Sequence, residues 1–494
     1  MSRLYIKLLL LFILLTFSLG KVSYAETTKP KLLTLSLKEA VFLSLRFNPI
    51  VKSSEIQRVV DKFNLAVAKN QFELQYALTG SALHTNSVVA GVPDIVTGSY
   101  NLVPAANLQT VYGTKYNLSL SNPVSLSKIG PTSPTNVFYN PALTLAVAQP
   151  LIQGSGREVV QAPLNAACNR EGIARFAFKS NVIANVTVIM IDYWAVVAAE
   201  GALQVAKLAL KVSIQTVKNN ALQIQQGFLA RSENIQALAA VANQRILVAS
   251  SENQLMQAKL ALLRDMGISP FTPIKVDKNL TFEKYKYPKG KQAKRLLFAN
   301  NPALQIERLN LRNAKINLLL AEDQQRWSLN LVGTIVQGGG FGGGRNGGIG
   351  SLFNGSNRSR SLGLTLNVPI DNLPLQQQFV TAKVALTQQQ LNARLLKLNL
   401  VTQLLSQLEN LKILRLQIKL AKESVQLSYQ SYQDALKKVT FGQASMFEVT
   451  TLQTNFINAS LAVIGAEVSY LNAIAAYYQL LGITLNEWAV NLVY

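Results

Sequence analysis

Read as a succession of apolar and polar positions, the chain changes period several times. Residues 35–47 carry an amphipathic helix pattern that Asn48-Pro49 interrupts, and a second helix pattern continues to about Phe72. Proline disfavours helix at the residue before it and fits the first turn of a new one. Alternation follows: Gln75, Ala77, Thr79 and Ser81 interleave with Tyr76, Leu78 and Ala82, the two-residue period of a strand with unlike faces. Lys115–Ser121 and Ala142–Ala148 are strand-like too, the latter placing Leu143, Leu145 and Val147 on one side ahead of Gln149-Pro150. From Arg157 to Gln226 the period becomes helical, with Ile183, Val186, Met190, Tyr193 and Val197 at coiled-coil spacing. A helix of that span is roughly 105 Å long. It cannot bury itself in a compact domain and must lie against helices of similar length. A return helix, about 229–266, completes the first half.

A connector with Pro270, Pro273 and Pro288 spans 268–292, and then the pattern restarts. Asn301-Pro302 matches Asn48-Pro49 at an offset of 253, and in that register Asn317, Leu318, Ala321, Gln324, Leu331 and Gly333 match Asn64, Leu65, Ala68, Gln71, Leu78 and Gly80. The chain therefore reads as two repeats, 26–267 and 293–494. The second predicts strands within about 327–370 (Trp327–Val336 and Leu362–Ile370), a long helix at about 375–440 and a return helix at about 444–481. Each long helix meets its return helix at a glycine, Gly227 and Gly442, and each return helix ends at Gly-Ile, Gly267-Ile268 and Gly482-Ile483. Such glycines suit backbone that turns with φ > 0. The tip glycines are offset by 215, so the first half holds 38 additional residues in its strand region, expected at about 74–151. If both long helices lie on one side of a membrane, each half crosses it an even number of times. Four crossing strands per chain are expected, with Lys115–Ser121 an external extension or part of a long bent hairpin.

Composition narrows what this device can be. No proline occurs from Leu164 to Ser269 or from Leu375 to Tyr494, so helix is permitted throughout both spans. Residues 1–25 resemble an export signal, with Arg3 and Lys7, an apolar run Leu8–Leu19 and the small-x-small site Ser23-Tyr24-Ala25. Cys168 is the single cysteine, which leaves no disulfide framework and no lipidated N-terminal cysteine. No later stretch has 18 consecutive apolar residues, so a membrane crossing is expected to use strands. An open sheet edge in lipid leaves backbone groups unsatisfied at several kcal/mol each, so four strands per chain require association with further copies. The formal charge of +23 is spread along helices without a basic block interleaved with aromatics, and no nucleic-acid partner is expected.

Candidate chemistry is sparse. His84 is the only histidine and stands apart from any Cys or carboxylate cluster, and no Ser-His-Asp or Cys-His set assembles. Gly338–Gly350 lacks the lysine and the strand-to-helix setting of a phosphate loop and reads as an external loop. Neither catalysis, cofactor nor metal is expected. Asp192 and Asp265 read as polar contacts between helices.

The two halves, each helix, strand, loop, strand, long helix, glycine tip and return helix, resemble the TolC family of outer-membrane exit ducts. So do Gly442-Gln443-Ala444-Ser445-Met446-Phe447-Glu448-Val449 at a tip and the strand end Leu145–Leu151 with its Gln-Pro-Leu. The resemblance implies a mainly α protein with membrane β: a homotrimeric, 12-stranded outer-membrane β-barrel continued into the periplasm by an α-helical coiled-coil barrel. It implies passive export of drugs, ions or polypeptides in a tripartite efflux pump or type I secretion system, with a periplasmic adaptor and an inner-membrane pump as partners. Gly227, Phe228, Leu229, Ala230, Gly442, Gln443, Ala444 and Ser445 become adaptor-contacting turns. Glu448 becomes an acidic residue of the periplasmic entrance, where a second acidic position is Thr451 in this chain. The alternative is a periplasmic coiled-coil scaffold that never spans the membrane; outward apolar alternation in Trp327–Val336 and Leu362–Ile370 separates the two.

Overall fold

The computed structural model describes residues 32–91, 93–227, 231–277, 287–338, 342–343, 349–354, 357–441 and 443–490. The signal-like segment 1–25, Tyr494 and most of Gly338–Gly350 lie outside them. Eight helices carry the argument below: α1 Leu37–Phe47, α2 Pro49–Asn70, α3 Ala162–Gln225, α4 Arg231–Met266, α5 Gly290–Asn300, α6 Pro302–Gln324, α7 Leu373–Thr440 and α8 Met446–Leu481. The strands are β1 Leu33–Leu35, β2 Gln75–Ser87, β3 Ile95–Gln109, β4 Lys115–Ser121, β5 Val124–Ile129, β6 Asn136–Tyr139, β7 Ala142–Pro150, β8 Ile274–Val276, β9 Ser328–Gly338, β10 Gly342–Gly343 and β11 Asn357–Asn367.

The chain divides into two compact units. One gathers the chain up to Asn48 with Val188–Phe282 and Ile418–Val468. Here β1 and β8 pair in parallel, and the Tyr193 hydroxyl lies 3.2 Å from the Leu35 carbonyl oxygen and 2.9 Å from that of Asp277, docking this ribbon on α3. α1 starts with a reciprocal cap in which Ser36 accepts from the Glu39 N–H while the Glu39 carboxylate accepts from the Ser36 N–H. Further along, Val212 of α3 packs with Tyr432, Ala435, Leu436 and Val439 of α7 and with Val449 and Leu452 of α8. Phe456 stacks on Tyr432 with ring centroids 6.3 Å apart.

The other unit gathers Pro49–Thr187, Glu283–Gln417 and Ser469–Tyr494 and holds the large sheet. Its strands run β2, β3, then β4 and β5 end to end, β6 and β7 end to end, β9 with β10, and β11, every neighbour antiparallel. Four long passes therefore come from the first half and two from the second. This corrects the expected four strands. Of the two expectations for Lys115–Ser121, it is no external extension but part of a long interrupted hairpin with β5, β6 and β7: as β4 it pairs Leu118 with Ala106 of β3 on one side and with Leu145 of β7 on the other. The unexpected partner is β3, whose Pro104 disguises it as loop. Pro104 pairs with Leu78 of β2, while on its other side the ladder is interrupted at Asn122-Pro123 between β4 and β5, so the missing N–H falls where the sheet has a gap. The Asn101 side chain fills that gap by accepting from the Asn122 N–H at 3.2 Å.

Within each unit one construction recurs around an Asn-Pro step. In the first, Asn48 ends α1 and donates its side-chain amide to the Asp265 carbonyl at 2.6 Å, at the end of α4. There Gly267 turns at φ +73, its N–H reaching Arg264 O while the Ile268 N–H reaches Leu263 O at 2.9 Å. That pair of bonds satisfies two of the last helical carbonyls, and the asparagine satisfies another. In the second unit Asn301 donates to Leu480 O at 2.9 Å, Gly482 turns at φ +69, and Ile483 N–H reaches Tyr478 O at 3.1 Å. Both asparagines are buried. A Cβ on either glycine would stand 2.4 Å from a backbone oxygen, of Phe47 for Gly267 and of Asn300 for Gly482.

Candidate functional site

The sheet has two unlike faces, fixed by its register. One row of paired residues runs Tyr76, Ala106, Leu118, Leu145, Ile335 and Arg360 from β2 to β11. Because side chains alternate, the same face carries Leu78, Leu102, Tyr116, Leu143, Leu362, Leu364 and Leu366. These residues are exposed, Tyr76 at 80% and Leu364 at 66%. The opposite face carries Gln75, Thr79, Ser81, Asn101, Asn107, Asn117, Ser119, Thr144, Asn330, Thr334 and Thr365, and across it the Asn117 amide donates to Asn107 Oδ1 at 2.6 Å. A leucine face in water forfeits the stabilisation that apolar burial gives, at about 25 cal/mol per Å². The arrangement suits a wall with lipid on one side and water on the other.

At the strand ends nearest the helices the wall is tied to the unit's helical part. Leu151 N–H donates to Leu329 O at 2.8 Å, and the Gly154 N–H donates to the Asp323 carboxylate of α6 at 2.8 Å. Gln149 accepts from the Thr114 hydroxyl and donates to Pro150 O. This is the work of the Gln149-Pro150-Leu151 motif: it closes strand β7 and anchors the chain's exit from the sheet.

Of the expected tip residues, Phe228, Leu229, Ala230 and Gly442 lie outside the described residues. Gly227 follows α3 at φ +78 and is exposed. Gln443 donates its N–H to Lys438 O at 2.9 Å, and Ala444 is half-buried. Ser445 caps α8: its hydroxyl accepts from the Glu448 N–H at 3.2 Å. Glu448 is thus held in the first turn, where the helix dipole favours a carboxylate, with its side chain exposed. Thr451 turns its hydroxyl back to Phe447 O at 2.9 Å, so it presents no free acid or base there. Ser445, Glu448 and Thr451 are brought together at the start of α8, Ser445 as its cap and the other two in its first turns.

Titratable groups with shifted pKa cluster beside the first Asn-Pro junction. Burial pushes the Asp192 carboxyl up to about 7, helped by its hydrogen bond to Asp265 and the charge there. Asp265 is held low, chiefly by its hydrogen bond from Arg264, whose Nε lies 2.7 Å away. Among the described residues no group of His, Cys, Asp and Glu forms a metal site. His84 stands in β2 opposite Gly98.

Two helices are long and apolar enough to cross a membrane by length and composition, Ala162–Gln225 and Phe447–Leu481. In the first, 61% of the most apolar window is buried inside the chain, which accounts for its hydropathy by packing.

A family model described as "Outer membrane efflux protein" matches residues 295–483. The fold extends the likeness across the chain. The outer membrane protein VceC of Vibrio cholerae aligns with TM-score 0.67 at 15% identity, over 90% of this chain and 96% of its own. CusC aligns with TM-score 0.68 at 16% identity, over 90% of this chain and 92% of its own. The open-state MtrE outer membrane channel of Neisseria gonorrhoeae aligns with TM-score 0.66 at 15% identity, over 90% and 88%. No curated protein matches the chain.

Proposed function

We propose that this chain is the outer-membrane exit duct of a tripartite efflux pump or type I secretion system, passing drugs, ions or polypeptides from periplasm to exterior. The observation that carries the reading is the sheet with an exposed leucine face and an asparagine, serine and threonine face, in a chain otherwise built of long helices. Residues 1–25 are the export signal, and the halves 26–267 and 293–494 are two repeats joined by 268–292. Copies assemble as a homotrimer whose helices form a coiled-coil tube in the periplasm, and neighbouring copies cover the leucines that α7 exposes, among them Leu391, Leu395, Leu398, Leu405 and Leu416. The tip turns around Gly227 and Gln443 meet a periplasmic adaptor, and the inner-membrane pump supplies the energy. Three copies of Glu448 around an axis form a carboxylate ring at the entrance that favours cations. A soluble scaffold is disfavoured: it would have to hide the leucine face. The test replaces Gly227 and Gln443 together with glutamate. Export, followed as drug or substrate retention in cells, is expected to fail while trimers still form; unchanged export contradicts the tip assignment.

A further inference from the structure

Within that reading, we infer that each chain contributes six strands to the barrel wall, so that three copies close an eighteen-stranded barrel, sealed head to tail by β11 of one copy against β2 of the next.

Three observations carry this. First, β2 and β3 form an unbroken ladder from Gln75–Asn107 to Ser87–Ile95, thirteen and fifteen residues long. A tilted membrane strand needs about 9–11 residues, so either can cross. Second, the β2–β3 hairpin continues the two-faced pattern: Tyr76, Leu78, Tyr100 and Leu102 share the face of Leu118, Leu145, Ile335 and Leu364, and the polar residues share the other. Third, the sheet has two open edges. Among the described residues β2 pairs only with β3 and β11 only with β9, and these two strands alone are exposed along their whole length. In hydrocarbon each unpaired backbone group costs several kcal/mol. The edges fit each other, because β2 and β11 run in opposite directions across the sheet and meet as an antiparallel pair.

The slant of the apolar band agrees. The row that begins at Tyr76 in β2 ends at Arg360 in β11, whereas the leucines of β11 lie at 362–366. The band drifts by roughly six residues over the sheet, a strand tilt of about 40° at ordinary strand spacing. At that tilt eighteen strands enclose a backbone diameter of about 36 Å, and twelve about 24 Å. The added pair of passes comes from the 38 surplus residues of the first half, which keep the number of crossings even. A twelve-stranded trimer of this chain would have to set a hairpin aside without breaking an inner ladder. That hairpin is β2–β3, since β9 and β11 lie inside the family-matched region, and β11 would then meet β4.

The test is disulfide formation in the full-length protein with the native thiol removed (Cys168→Ser), extracted from membranes and oxidised. Leu78→Cys is combined in turn with Leu362→Cys, Leu364→Cys and Leu366→Cys, and Leu118→Cys with the same three. All these positions are on the apolar face. Covalent trimers are expected from at least one Leu78 pair and monomers from every Leu118 pair. Trimers through Leu118, covalent dimers through Leu78, which would close a twelve-stranded ring from two copies, or no cross-link in either series overturns the inference. If the protein is recovered in the outer-membrane fraction, any of these outcomes removes the strand count and leaves the duct; if it is absent from that fraction, both fall.

Discussion

Replacing Gly482 with alanine attacks the junction at its tightest point. At φ +69 a residue with a Cβ costs about 1–2 kcal/mol in backbone conformation alone. The new Cβ would also stand 2.4 Å from Asn300 O and 3.2 Å from Asn301 Cα. Relieving it moves the Asn300–Asn301 backbone by roughly 0.8 Å, enough to open the 2.9 Å bond from the Asn301 amide to Leu480 O. A buried carbonyl left unpaired costs about 1–3 kcal/mol more. The total is about 2–5 kcal/mol against local opening. A chain of two units is not expected to unfold in one step, so the readout is native-state hydrogen exchange at Gly482 and Ile483, whose N–H groups bond Gln479 O and Tyr478 O. Protection there should fall between about thirty- and four thousand-fold, at about 1.4 kcal/mol per decade. Gly465→Ala, at a helical position with nothing within 4 Å of the added carbon, should leave protection unchanged or raise it. Equal protection in wild type and Gly482→Ala would refute the reasoning.

Asp192→Asn should flatten the pH dependence of local stability around α3 and α4. A carboxyl raised to about 7 binds more protons folded than unfolded, so native stability falls as pH rises from about 4 to about 7. Asp265, held low, has the opposite sign and loses its contribution only as pH falls through its depressed value. Exchange rates of α4 measured across pH 5–8 should therefore converge in the variant; a persistent slope contradicts the assignment to Asp192. Tyr193→Phe removes the one hydroxyl that docks the β1–β8 ribbon, leaving Leu35 O and Asp277 O without that donor, and should cost about 1–2 kcal/mol. Limited proteolysis of that ribbon reads it, and an unchanged cleavage rate would contradict it.

The helices were legible because their signals are local and repeated: proline-free spans, three-four apolar spacing, Asn-Pro steps and Gly-Ile ends. What the sequence could not show is that these signals meet in pairs. Asn48 and Gly267 are far apart in the chain, and only the structure closes the asparagine on the carbonyl beside the glycine. The strands were half legible. β2, β4, β7, β9 and β11 alternate openly, whereas β3 was hidden by Pro104, whose cost vanishes opposite the gap at Asn122-Pro123, a long-range feature no local reading sees. Missing β3 left an odd number of strands in the first half, and the even number of crossings then made β4 look external. The tip was legible only through the resemblance, since exposed turn residues carry no packing signal. Ser445 could have been read from the sequence as a helix cap, with Glu448 three residues on.

The central claim is that the polar face of the sheet lines a water-filled path through the outer membrane. Single-channel recording of the mature protein, extracted in detergent and placed in a planar lipid bilayer, tests it most directly. Discrete, long-lived conductance steps are expected, with lower cation preference once Glu448→Gln removes the carboxylates from the entrance. A correctly assembled protein that stays silent even after the Gly227 and Gln443 turns are replaced to loosen the tips would contradict the account.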